Sequence, residues 1–118
     1  MDRRGGGNRV GAKHILQKHT GSRNPNDSYR KRPVTRSFEE AMANIQAVQK
    51  RLVAGEQFET IARELSECGS AARGGDLGVF GHGEMQKQFE DAAFALGVGE
   101  VSGPVVSDSG IHLILRYQ

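Results

Sequence analysis

The sequence predicts an α+β domain built on one antiparallel sheet. Three observations carry this. Apolar residues alternate with others at both ends of the chain, over residues 10–19 and 111–118. Between them lie three segments whose apolar residues recur at helical spacing. The last strand follows "GPVV" and the turn "SDSG", the mark of a C-terminal hairpin. Strands at both ends with helices between them draw the chain ends into one sheet. A length of 118 residues suits one domain whose core needs no disulfide staple.

The elements follow in order. Residues 1–9, "MDRRGGGNR", read as a flexible tail before a domain spanning 10–118. Val10 to His19 is the first strand, with Val10, Ala12, His14, Leu16 and Lys18 on one face. Residues 20–36, "TGSRNPNDSYRKRPVTR", mix turn formers with cations and read as a long structureless loop, which in a small domain is usually functional or disordered. "SFEE" is a capping box: Ser37 caps and Glu40 stands three residues on. Ala41, Ile45, Val48 and Leu52 form the core stripe of that helix, and Gly55 ends it. A second helix covers 56–65 through Phe58, Ile61, Ala62 and Leu65. The Gly-rich run 66–83 allows a short strand at Leu77–Phe80 and otherwise reads as a tight hairpin. A third helix runs from Met85 to Leu96. In the final strand Ile111, Leu113 and Leu115 share one face, His112, Ile114 and Arg116 the other.

The net charge of +2 hides a polarity. Residues 1–36 hold ten Lys or Arg against two Asp or Glu; residues 37–118 hold six against twelve. A basic first third points to an anionic partner: nucleic acid, phosphoprotein or membrane surface. The lone Cys68 has no intrachain partner, so a reducing compartment, cytoplasm or nucleus, is expected. No apolar run is long enough to span a membrane, and the first residues lack the apolar stretch of a signal peptide. No cofactor is called for. A metal site is not expected either: His14 and His19 face opposite sides of a strand, and Cys68 has no CxxC companion.

His14 and His112 stand mid-strand among apolar neighbours. Each alone reads as a core histidine; on neighbouring strands they would make an imidazole pair. Cys68 in "SECGS" reads as a small buried residue or as a thiol nucleophile. The glycine run lacks the GK[ST] of a phosphate loop. Met85 and Phe89 stand one helical turn apart, as core or as pocket. Lys18 and Arg23 are solubility residues or two arms converging on a phosphate.

Taken together, "KHIL" (13–16), "LSECGSAARGGDLGVFGHGEM" (65–85), "FEDAAFAL" (89–96) and "SGPVVSDSGIHLIL" (102–115) resemble the parvulin peptidyl-prolyl isomerases over nearly the whole chain. The insertion from Gln17 to Ser37 is similar to that of the Pin-type subgroup, which selects phosphoserine or phosphothreonine before proline. The tryptophan-bearing WW module often found ahead of that domain is not expected, since the 118 residues hold no tryptophan. The resemblance implies the parvulin-like version of the FKBP-like superfold, a four-stranded antiparallel sheet surrounded by about four helices. It assigns His14 and His112 as the active-site histidines, Cys68 as the thiol beside them, and Leu77, Met85 and Phe89 as the walls of a proline pocket. Gln86 and Ser109 become polar lining residues, and Lys18 and Arg23 members of a phosphate-binding cluster. Asn24 stands where a further arginine belongs. The activity implied is cis/trans isomerisation of X-Pro bonds by non-covalent stabilisation of a twisted amide. It would act as a monomer on proteins phosphorylated at Ser/Thr-Pro.

Two other readings use the same residues. Arg3, Arg4, Arg9 and the run Arg30–Lys31–Arg32 suit a nucleic-acid binder on the same fold. A catalytically silent binder of phosphorylated Ser/Thr-Pro segments would keep the pockets without turnover. Arg30, Lys31 and Arg32 are also candidates to replace the missing arginine at the phosphate site.

Overall fold

A computed structural model describes residues 9–118. In chain order its elements are β1 (Arg9–Gln17), β2 (Asn26–Asp27), β3 (Arg32–Pro33), α1 (Phe38–Val53), α2 (Phe58–Leu65), a 3₁₀ turn (Gly69–Arg73), β4 (Asp76–Gly81), α3 (Lys87–Ala95), β5 (Val105–Ser107) and β6 (Gly110–Arg116). Four strands form one antiparallel sheet in the order β4–β1–β6–β5. The first and last strands are thus its centre, as alternation at both ends of the sequence requires. Among the described residues the helices are three α-helices and the 3₁₀ turn, where about four were expected.

Alternation sorts the core into two layers. Ile15, Ile111 and Leu113 point to one face, where Ala41, Ile45 and Val48 of α1 and Phe58, Ile61 and Ala62 of α2 cover them. Val10, Ala12 and Ile114 point to the other, against Phe80 of β4 and Phe89 and Ala93 of α3. The capping box at Ser37 forms in both directions: Ser37 Oγ accepts from the Glu40 N–H, and Glu40 Oε1 from the Ser37 N–H. Gly55 adopts φ +100° just beyond that helix and lets the chain turn.

Several boundaries move. Arg9 is the first residue of β1 rather than the last of a tail; the remainder of the expected tail, 1–8, lies outside the described residues. β1 ends at Gln17, two residues early, because Lys18 N–H donates to the Glu67 carboxylate at 2.8 Å instead of to a strand. The glycine run forms a 3₁₀ turn closed by left-handed Gly74, followed by β4, instead of a hairpin. α3 begins at Lys87, so Met85 sits in the loop before it and Gln86 at its N-cap.

The largest correction concerns residues 20–36. They are not structureless: β2 and β3 pair as a small hairpin, and two buried carboxylates organise it. Asp27 accepts the N–H groups of Tyr29 and Arg30 at 2.9 Å each and the Arg30 guanidinium at 3.0 Å. Burial raises the Asp27 pKa, but the Arg30 N–H and guanidinium and the Tyr29 N–H outweigh it and hold the carboxyl below its usual range. Arg30 then donates to the carbonyls of Ser66 and Arg63, at 2.9 Å each, and of Glu64. It satisfies the orphan carbonyls at the end of α2, so it does not replace the missing arginine. Glu67 ties both ends of the loop down, accepting Lys18 N–H and the Arg36 guanidinium at 2.6 Å, while its own carbonyl accepts Ser28 N–H at 3.0 Å. A composition of turn formers and cations does not reveal these long-range partners.

Gly75 sets the distance between β4 and the middle of β1. It has φ +88° and donates nothing to crowding: a Cβ there would collide with the His14 carbonyl oxygen and press on the Ala62 side chain. The Gly75 carbonyl accepts His14 N–H at 2.9 Å. Gly75→Ala should therefore cost about 2–4 kcal/mol, combining left-handed strain with overpacking. A urea midpoint unchanged from wild type would refute this.

Candidate functional site

The site is built on the face of the sheet that α3 covers. In the β1–β6 register His14 lies opposite Ile114 and His112 opposite Leu16, so the two histidines are diagonal neighbours on one face. Their rings stack at 5.2 Å between centroids, and Nδ1 meets Nδ1 at 2.9 Å. Phe89 of α3 sets its edge geometry against both, at 5.5 Å from His14 and 5.2 Å from His112. Both imidazoles are almost fully buried.

Ser107 Oγ accepts Ser109 N–H at 3.2 Å and hydrogen-bonds His112 Nε2 at 2.6 Å. One proton bridges the two Nδ1 atoms of the pair. His14 Nε2 is buried and without a hydrogen-bond partner among the described residues. Burial, and then the charge of His112, push the His14 pKa down to about 3; burial pushes that of His112 down to about 4. At neutral pH the pair is a rigid, uncharged wall.

Two cavities flank this wall. One, of about 240 Å³, is lined by His14, Leu77, Glu84, Met85, Gln86, Phe89, Ser109 and His112. Its lining is mostly apolar and its dimensions admit a pyrrolidine ring. The second, of about 230 Å³, is lined by Leu16, Lys18, Arg23, Asn24, Ser28, Cys68 and Ser109. There Lys18 is buried, and its ammonium donates to the Asn26 carbonyl at 2.5 Å and to Ser28 Oγ at 3.1 Å. Two of its three donors are spent and the charge is held in place. Arg23 is exposed, and its guanidinium makes no hydrogen bond or ion pair among the described residues. Its backbone N–H donates to the Asp108 carbonyl at 2.8 Å, fastening the loop to the β5–β6 turn.

Ser109 lines both cavities, and it is clamped. Gln86 Nε2 donates to Ser109 Oγ at 2.6 Å, and Gln86 Oε1 accepts Asp108 N–H at 3.3 Å. Cys68 caps the 3₁₀ turn, its sulfur accepting Ser70 N–H at 3.5 Å; no imidazole hydrogen-bonds it among the described residues. All ten residues singled out from the sequence therefore line one cavity or the other. The sequence reading missed Ser107, Ser28, Glu67 and Glu84. A serine two residues before another in "SDSG" reads only as a turn former, and nothing in the order of residues says that its hydroxyl reaches an imidazole.

Residues 14–117 match the family model for the PPIC-type PPIase (rotamase) domain. The chain is 52% identical over 104 residues to the putative peptidyl-prolyl cis-trans isomerase dodo of Drosophila melanogaster, covering 87% of this chain and 62% of that protein. It is 46% identical to the peptidyl-prolyl cis-trans isomerase Pin1 of Arabidopsis thaliana, covering 91% of this chain and 93% of the relative. The structure of the peptidyl-prolyl isomerase ESS1 of Candida albicans superposes with a TM-score of 0.90 at 36% identity, over 94% of this chain and 63% of that one. The chain thus spans about three fifths of two of these proteins and nearly all of the third.

The buried pair makes stability depend on pH. Both histidines have native pKa values below the ~6.5 of an unfolded chain, so between about pH 6.5 and pH 4 the unfolded state binds more protons. Their contribution is complete above pH 6.5 and is lost on acidification through this window. Near pH 5 unfolding should take up close to two protons, a slope of about 2–3 kcal/mol per pH unit. Urea unfolding at a series of pH values measures it; stability that stays level from pH 7 to pH 5 would contradict the neutral pair.

Proposed function

The chain belongs to the PPIC-type peptidyl-prolyl isomerase family, and on that premise we propose that it isomerises X-Pro bonds, preferring phosphoserine or phosphothreonine before the proline. The observation that carries the reading is Ser109, the shared wall of an apolar cavity and a cationic one. A phosphorylated residue and the proline after it are adjacent in a substrate, so their two pockets must touch. A phosphate carries about −1.5 to −2 charge at neutral pH, which suits the fixed ammonium of Lys18 and the guanidinium of Arg23. Asn24 does not add a third cation; its side chain accepts from Asn26 at 3.0 Å. Phosphorylated Ser/Thr-Pro proteins are the partners this implies.

The chemistry asks for little. Unaided, an X-Pro bond rotates over tens of seconds across a barrier of about 20 kcal/mol. A turnover near 10 per second needs only ~3–4 kcal/mol of that. As the amide twists it loses resonance and its charge separation falls, so a dry pocket favours the twisted form. In this reading Leu77, Met85 and Phe89 hold the ring, Lys18 and Arg23 hold the phosphate, and the carbonyl between them turns past Ser109 and Gln86. The low pKa values of His14 and His112 argue against an imidazolium that protonates the imide at neutral pH. Their work is to keep the wall neutral, dry and fixed. Among the described residues Cys68 has no hydrogen-bonded base to activate it, which favours a non-covalent route.

Three measurements test this. Lys18→Ala and Arg23→Ala should each lower kcat/KM on a phosphoSer-Pro peptide by about tenfold or more, the loss expected for a charge-assisted contact, and change it little on the matching Ala-Pro peptide. Equal losses on both peptides would defeat the phosphate assignment. Cys68→Ser should retain turnover; its abolition in a folded protein, with a trapped covalent adduct in wild type, would reverse the mechanism.

A further inference from the structure

Glu84 stands apart from the other residues of the proline cavity. It is the one carboxylate among the described residues that line either cavity, and nothing in the proposed chemistry uses it. Its position along the site is defined by β1. Lys18 follows the last residue of that strand, and His14 sits near its middle. Glu84 Oε2 lies 4.0 Å from the guanidinium of Arg9, the strand's first residue. The two ends of β1 are about 26 Å apart at strand rise. The order along the groove is therefore cation, imidazole wall, carboxylate.

A bound substrate has a fixed direction in such a groove. Its phosphorylated residue lies at the Lys18 end and its ring in the apolar cavity, so the chain that follows the ring leaves toward Glu84. We infer that Glu84 reads the charge of the residues following the proline and favours Lys or Arg one or two places downstream. This rests on the function proposed above and adds to it a second recognition element of opposite sign.

The carboxylate is presented firmly. It belongs to the loop between β4 and α3, and that loop is tied to α3 by Glu90. One Glu90 oxygen accepts Gly83 N–H at 2.6 Å and the other lies 2.9 Å from His82 Nδ1. The His82 ring in turn stacks on Phe94 at 4.1 Å. Glu84 itself stays available. Its side chain and that of Arg9 are each 54% exposed, and their contact is at the outer limit of an ion pair. A cation from the substrate can replace Arg9 at little cost.

The test uses two phosphoSer-Pro peptides that differ only in carrying Lys or Glu after the proline. Wild type should favour the Lys peptide by about threefold in kcat/KM, the size expected for a half-exposed pair, and the ratio should shrink in high salt. Glu84→Gln should bring the ratio to one, and Glu84→Lys should invert it. Fluorescence polarisation with the same peptides reads the preference in affinity without turnover. Equal rates and equal affinities in wild type would overturn the inference and leave the isomerase reading intact. A preference that survives in Glu84→Gln would also overturn it, since the charge would be read elsewhere. A Lys preference in affinity that Glu84→Lys inverts, without isomerisation of either peptide, would uphold it and instead count against the proposed activity.

Discussion

The pairing of β1 with β6 is the constraint on which the site depends. It joins strands 98 residues apart at their histidines and fixes which way each side chain faces. Shifting β1 by one residue against β6 would send His14 to the α1–α2 side, bring Ile15 under α3 and part the two imidazoles. The core therefore defends the register. Burying Ile15, Ile111 and Leu113 on one side and Val10, Ala12 and Ile114 on the other leaves one arrangement that satisfies both layers. The imidazole contact is a consequence of hydrophobic sorting rather than its cause.

On this frame the site separates its charges by region. At its centre the buried histidines are neutral, because a charge there would have neither water nor a counterion. At one end the buried Lys18 side chain is held in place by a carbonyl and a hydroxyl, which take two of its donors. Glu67 supports that end by binding the backbone of Lys18 and the guanidinium of Arg36 together. Glu84 stands at the other end. The lining is thus mostly apolar in the middle, with a lysine at one end and a carboxylate at the other.

The basic loop shows how composition can mislead. Its cations look like one patch in the sequence, but they do different work. Arg30 closes the end of α2, Arg36 holds Glu67, Lys18 and Arg23 line the cavity, and Lys31 and Arg32 lie exposed. The charge density that suggests nucleic acid is therefore partly spent inside the domain.

The sequence alone determined the features that repeat at short range. The period-two pattern identified β1 and β6 and their faces, the spacing of Ala41, Ile45 and Val48 identified α1, and Ser37 with Glu40 marked its start. A family likeness then pointed to ten of the residues that line the cavities, through motifs that stay contiguous in the chain. Only the tertiary structure decided the rest. That His14 meets His112, that Glu67 orders the loop, and that Glu84 shares a cavity with His14 all depend on contacts between distant segments. Periodicity and local propensity reach across one or two turns of chain. Side-chain hydrogen bonds over tens of residues exist only once hydrophobic burial has fixed which strands are neighbours.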